Sequence, residues 1–317
     1  MLVVYFYWIN QDWVYTENAY VKTDFIAIST EVTGRVKKIG VSENQKVQQG
    51  DFLFSLDPEP FQYEIDRLKA QLQVIQNTIH TQKAIYQQKQ SEKELAKKDL
   101  AYYQQELERQ EALFKKKATS AAQRDQAQHN RDQAQKKLDI AVYDLQAILA
   151  SLAGNPAIQP EHHPQYLEVK ANLDLANLNL SRTILYAPNE GIISRLTLYP
   201  GDQVKAGSSL FTLFVTKNVW VEANFKETEL TYIQPGQKAL IGIDSYPDWQ
   251  TTGYVEGISA AAGSEFAILP PQNATGNWVK VTQRIPVRIR FDPQDQQPLL
   301  RAGMSAAVRV HIAGKPR

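Results

Sequence analysis

The chain contains no cysteine, which removes disulfides, thiolate metal sites, iron-sulfur clusters and cysteine nucleophiles together. It carries no excess of either charge: thirty-five basic residues stand against thirty-four acidic ones. No bulk field therefore recruits nucleic acid or anionic lipid, and no nucleic-acid partner is expected. Long apolar runs are missing too. The opening MLVVYFYWI is well short of the ~20 residues that cross a bilayer, and no signal-peptide cleavage pattern follows it. Its aromatic end, Tyr5, Phe6, Tyr7 and Trp8, with Trp13 beyond, suits the interfacial belt of a membrane helix whose earlier part lies outside this chain. A buried first strand is the alternative. No HExxH, GxSxG or phosphate-loop pattern occurs, and the five histidines are scattered. Catalysis, a cofactor and a metal are accordingly not expected. His162 and His163 adjoin in a loop, but a metal site needs further ligands at suitable spacing.

Glycine and proline are also missing from residues 61–117, where glutamine, lysine, glutamate, alanine and leucine dominate. These are good helix formers. Ile65, Leu72, Ile79, Tyr86, Lys93, Leu100, Leu107 and Phe114 form one line of a heptad. Leu68, Ile75, Gln82, Lys89, Ala96, Tyr103 and Gln110 form the other, which describes a coiled-coil seam. The polar entries at Gln82, Lys89, Lys93 and Gln110 predict local breaks or slackened packing. A helix of this extent reaches roughly 80 to 90 Å. At KKKATSAAQRDQA the run stops, and Ser120 precedes Gln123 by the spacing of a capping box. Heptads resume with Ala127, Ala134, Ala141 and Ile148, interleaved with Arg131, Leu138, Leu145 and Leu152. Two long helices joined by a tight connection lie antiparallel. GNPAIQPEHHPQ, with its three prolines and glycine, interrupts the returning arm before a shorter helix, YLEVKANLDLANLNLSRT.

Around this helical block one β unit is written twice. GRVKKIGVSENQKVQQGDFLFSL begins at Gly34, and GIISRLTLYPGDQVKAGSSLFTL begins at Gly191. Val36 and Ile193, Ile39 and Leu196, Val41 and Leu198, Val47 and Val204, Leu53 and Leu210, and Leu56 and Leu213 match at one constant offset. Gly50 matches Gly207, and Gly201 stands in a YPGD turn. Alternating apolar positions around polar turns describe short strands with one buried face. Neither copy has enough core to stand alone, so two pseudo-symmetric copies packed face to face supply one. The helical hairpin is then an insertion between the halves of one β domain.

The paired copies resemble the biotinyl/lipoyl carrier fold. The place of its modified lysine is taken by the insertion, and no MKM-like tripeptide exists, so a swinging-arm role is not expected. Four further stretches make the resemblance specific: TENAYVKTDFIAISTEVTGRV, LNLSRTILYAPNEGIISRL, VWVEANFKETELTYIQPGQKALI and AAGSEFAILPPQNATGNWVKVTQRIPVRIRF. In this order and around a hairpin, the whole chain resembles the HlyD/EmrA-type periplasmic adaptor, or membrane fusion protein, family, closest to the branch serving major facilitator efflux pumps.

That resemblance implies a mixed α and β fold: a lipoyl-like β-sandwich split by a long antiparallel coiled-coil hairpin, plus a small C-terminal β-barrel. It implies an inner-membrane anchor preceding a periplasmic body, an inner-membrane transporter and a TolC-like outer-membrane channel as partners, and a homo-oligomer, trimeric or hexameric. The tip pattern of related adaptors matches Arg109, Leu113 and Ser120, while the aromatic after the arginine is here Gln110 and the aliphatic before the serine is Thr119. The transporter-facing barrel loop falls on Asn273 and Trp278.

The resulting plan is an anchor remnant at 1–14, a strand joining the barrel at 15–30 and sandwich halves at 31–57 and 183–216. The hairpin takes 58–182, with its tip near 115–121 and its loop near 154–165, and the barrel takes 217–317. The barrel strands are VWVEANF, QKALIGI, TTGYVEGIS, QRIPVRIRF and MSAAVRVHI, closed by or packed against Ala19–Thr30. The expected function is the adaptor of a tripartite pump exporting drugs or other toxic compounds, with the mechanism geometric rather than chemical. An adaptor of an ABC-type peptide or protein secretion system and a non-transport coiled-coil scaffold are the alternatives.

Overall fold

The computed structural model describes residues 12–262, 282–293 and 298–312, and Asn273 and Trp278 lie outside them. The chain divides into two compact units, 57–183 and the remainder. No helix among the described residues is long and apolar enough to cross a membrane.

The two sequence copies become two interlocked halves. The first holds β2 (Gly34–Ile39), β3 (Lys46–Val47) and β4 (Phe52–Leu56). The second holds β5 (Ile184–Tyr186), β6 (Gly191–Ser194), β7 (Gln203–Val204) and the start of β8 (Ser209–Lys226). Each half is closed by the other: β2 pairs with β7 through Gly34 and Val204, and β3 pairs with β6 through Val47 and Gly191. The turns do the same. The Asn44 N–H donates to the Ile193 carbonyl at 2.9 Å, and the Gly201 N–H donates to the equivalent Val36 carbonyl at 2.8 Å. The Gly50 N–H donates to Ala187 and the Gly207 N–H to Thr30, each at 2.8 Å. Asn44 and Gly201 share a left-handed backbone, with φ of 64° and 99°, because asparagine is among the few residues besides glycine that tolerate it. Phe54 and Phe211, equivalent by the repeat, meet edge to face at 6.0 Å between ring centres.

The symmetry reaches further back than the sequence match. The end of β1 (Trp13–Ser29) pairs with β8 through Ile28 and Phe211, as β5 pairs with β4 through Leu185 and Phe54.

The barrel closes in the order β1, β12 (Ser305–His311), β9 (Lys238–Ile243), β10 (Tyr246–Ile258), β11 (Arg284–Phe291), β8 and back to β1. The strand alternation read from the sequence points Val21, Val221, Phe225, Ile241, Val255, Ile289 and Val308 into one core. β1 and β8 serve both sandwich and barrel. Where they pass from one to the other, Thr23 pairs with Val219 but Phe25 pairs with Phe214, leaving a bulge on β8. The Thr23 hydroxyl donates to the carbonyls of Val215 and Asn218 and holds that bulge shut. β1 starts at Trp13, which pairs with His311 and meets its ring edge to face at 5.0 Å between ring centres.

In the second unit, α1 (Glu59–Lys115) packs against α2 (Ala121–Ser151) and α3 (Pro164–Ser181). Ile65, Ile79 and Leu107 are buried, and Leu72 and Leu100 are half-buried. On α2, Ala127, Ala134 and Ala141 are buried, with Leu138 and Leu145 half-buried between them. Side chains this small allow close approach of two backbones. The breaks expected at the polar seam positions do not occur: α1 is continuous over 57 residues. Lys89 is held instead by Glu92 and, across the seam, Asp144, both at 2.9 Å. Those two carboxylates raise the Lys89 ammonium above its ordinary pKa, Glu92 first. Gln82 keeps a buried oxygen without a partner among the described residues.

The interruption after α2 is organised by His163, which is only 5% exposed. Its Nδ1 accepts from the Gln165 N–H and caps α3, so its Nε2–H donates to the Ser151 carbonyl at 3.1 Å. Both ring nitrogens are thus committed to main chain. The left-handed Ala153 ends α2, with the Gly154 N–H reaching back to Leu149.

Two measurements check these arguments. A Cβ on Gly191 would lie 2.3 Å from the Phe214 carbonyl oxygen and 2.8 Å from the Leu213 side chain. Gly191→Ala is expected to lower unfolding free energy by about 1–3 kcal/mol, more than Gly257→Ala, whose Cβ meets nothing within 4 Å. Equal losses in urea melts would refute the close-packing argument. His163→Ala is expected to cost about 1–2 kcal/mol as a lost cap and to speed amide exchange at Gln165 before that of the α1 seam.

Candidate docking site at the helical turn

The connection between α1 and α2 contains neither glycine nor proline, yet it is sharply defined. Lys117 takes φ of 57°. Its N–H donates to Phe114, and the Ala118 N–H donates to Leu113, both at 2.9 Å. These are the two bonds of a Schellman ending, in which glycine normally holds the left-handed position. Three residues on, Ser120 opens α2 with a full capping box: its hydroxyl accepts from the Gln123 N–H, and the Gln123 side chain accepts from the Ser120 N–H.

A polar chain ties the two sides of the turn. Gln110 donates to Glu106 at 2.9 Å, and the single proton of the Thr119 hydroxyl is shared between the side-chain oxygens of Gln110, at 3.1 Å, and Gln123, at 2.5 Å. Glu106 further pairs with Arg109. Hydrogen bonds from Arg109, and then from Gln110, hold the Glu106 carboxyl below the usual glutamate range. This contribution is complete above the ordinary glutamate pKa and disappears as pH falls through the depressed value. The two positions that depart from the adaptor tip pattern, Gln110 and Thr119, are therefore bonded to each other. Sequence comparison treats them as two separate departures; their pairing is visible only once the turn is built.

Of the three tip residues read from the sequence, Arg109 and Leu113 lie one turn apart on a single face of α1. Ser120 stands across the turn, its hydroxyl engaged in the cap. Arg109 and Leu113 are exposed. Phe114, read from the sequence as the last seam residue, is exposed as well, and the Arg124 guanidinium lies over its ring at 4.8 Å. At the other end of the seam, Ile65 and Leu68 cluster with Val169 and Ala176 of α3.

Elsewhere, a cleft of about 260 Å³ opens at the joint of sandwich and barrel, lined by Thr23, Asn44, Lys46, Phe214, Thr216 and Arg301 among others. Among the described residues no group of three or more metal-ligating side chains forms.

Comparison with known proteins gives two domain families. The RND membrane fusion protein barrel-sandwich hybrid domain matches residues 24–216, and the AAEA-like beta-barrel domain matches residues 218–311. Among curated proteins, the multidrug export protein EmrA of Haemophilus influenzae is 34% identical over 316 residues, spanning 98% of this chain and 79% of that protein. The fatty acid resistance protein FarA of Neisseria gonorrhoeae is 35% identical, spanning 95% and 77%. Among solved structures, MacA from Actinobacillus actinomycetemcomitans shares the fold at a TM-score of 0.57 and 16% identity, covering 96% of this chain and 81% of that one.

The strained ending makes a direct prediction. Lys117→Gly relieves the left-handed lysine and is expected to stabilise the turn by up to about 1 kcal/mol. The readout is slower amide exchange at Lys117 and Ala118; faster exchange would contradict the assigned backbone.

Proposed function

The chain belongs to the EmrA-type periplasmic adaptor, or membrane fusion protein, family, and from that premise we propose that it is the adaptor subunit of a tripartite multidrug efflux pump. The observation that carries this reading is the end-to-end match: 98% of the chain aligns with a multidrug export protein, across sandwich, hairpin and barrel alike. The sandwich and barrel are the part that engages an inner-membrane transporter of the major facilitator type. The hairpin turn, with Arg109, Leu113 and Ser120, is the part that meets a TolC-like outer-membrane channel. A helix N-terminal to the described residues anchors the protein in the inner membrane, and its body lies in the periplasm.

The mechanism is positional. No step requires a reacting group; what the protein supplies is reach and a shaped end. A 57-residue helix extends about 85 Å, and its two-armed seam prevents that length from bending freely. Several copies side by side complete the sealed path, since a closed ring is how identical chains enclose a channel.

The test is photo-crosslinking in intact cells with a reactive residue at Lys116. Capture of a TolC-like channel is expected. Capture of a cytosolic protein instead would overturn the envelope assignment, and co-purification with an ATP-driven peptide exporter would move the chain to a secretion system.

A further inference from the structure

We propose that the hairpin turn is a cationic knob that seats on a protein rim bearing carboxylates. This rests on the docking reading above and adds the chemistry of the partner. Between Ala112 and Arg124 the chain places four basic residues and no acidic one, although its overall formal charge is +1. Lys115, Lys116 and Lys117 are all exposed. None of the three forms an ion pair among the described residues, in contrast to Arg109 and Arg124 nearby.

The ordinary account of such residues is that cations favour a helix C-terminus. It covers Lys115, in the last turn of α1. It does not cover Lys117, which lies past the helix end in a left-handed backbone that favours glycine over lysine. A strained non-glycine residue kept at an exposed turn points to a use for its side chain. The same account runs backwards for Arg124, which sits one turn into α2, near the end where a cation is disfavoured. The first turn of α2 carries no acid; Arg124 pairs with Asp125 beside it at 2.6 Å and lies over Phe114, placing an arginine and an aromatic beside the lysines.

A protein rim fits this surface better than a lipid one. Leu113 and Phe114 are each only 37% exposed, and Arg124 covers part of the Phe114 ring. A membrane-seeking element needs a broad apolar face. An arginine packed on an aromatic, ringed by charge, has the composition of a protein-binding hot spot. The Gln110 to Thr119 bond keeps the two sides of the turn together, so the cations are presented from a fixed frame.

The experiment measures binding of the purified full chain to a TolC-like channel in nanodiscs of zwitterionic lipid, across a salt series, with phosphatidylglycerol vesicles as a second probe. The triple variant K115Q/K116Q/K117Q is expected to bind the channel about tenfold more weakly at low salt and to flatten the salt dependence. The triple arginine variant is expected to restore both, and neutralising the partner by converting the channel's rim carboxylates to amides is expected to abolish the difference between wild type and the glutamine variant. Channel binding that is equal for wild type and the glutamine variant overturns the charge inference and leaves docking intact. Lysine-dependent binding to vesicles but not to the channel overturns it in favour of lipid. Failure of the wild-type chain to bind the channel at all removes the docking reading itself.

Discussion

The reciprocal hydrogen bonding of the two β copies is the constraint on which the rest of this protein depends. The turns of each half also bond to the other: the Asn44 N–H donates to Ile193, Gly201 to Val36, Gly50 to Ala187, and Gly207 to Thr30. Together with the β2–β7 and β3–β6 pairings, these bonds tie each half to the other. The chain can therefore be interrupted between the copies only if it comes back. It leaves β4 after Leu56 and returns at Ile184 in β5, and those strands are themselves paired, Ser55 opposite Ile184. Paired strands lie about 5 Å apart. Any long insertion must begin and end side by side, and an antiparallel helical hairpin meets that condition at any length.

The hairpin has its own version of the same constraint. After Ile148 the returning arm breaks at Ser151 and resumes as α3, yet Val169 and Ala176 fall in the same sevenfold phase as Ala127, Ala134 and Ala141. α1 thus presents one continuous seam to two helices. The break is tolerated because His163 satisfies the end of one and the start of the other, and because the residues between them span whole heptads. A change in the length of that loop by two or three residues would rotate Val169 and Ala176 off the seam and expose them.

Much of this architecture was legible because it rests on periodicity. Seven-residue spacing marked the seam, and the matched glycines and aliphatics marked the β copies. Gly34 and Gly191 recur because a side chain there meets the strand that ends the same copy, Leu56 in one case and the Phe214 carbonyl in the other. The symmetry between Ile28 and Leu185 escaped notice because main-chain bonds carry it, and AISTEV and ILYAPN share almost no residues. The continuity of α1 through its polar seam positions has a related reason: Lys89 looks like a defect along one helix and becomes an ion pair once Asp144 stands opposite. At the turn, Ser120 was visible as a cap from its spacing to Gln123, whereas the bond between Gln110 and Thr119 depends on a reversal of the chain that no local pattern encodes.

The turn also shows where stability and presentation part company. Every local rule favours a glycine at Lys117 and an acid in the first turn of α2. The chain has a strained lysine and an arginine in those neighbourhoods, then secures the turn by other means: a capping box, the Gln110 to Thr119 bond, and Glu106 gathering Arg109 and Gln110. Those bonds use only groups that face back along the helices. The cations and the ring of Phe114 are left facing solvent, which is the arrangement a surface built for a partner requires and one that helix stability alone would not select.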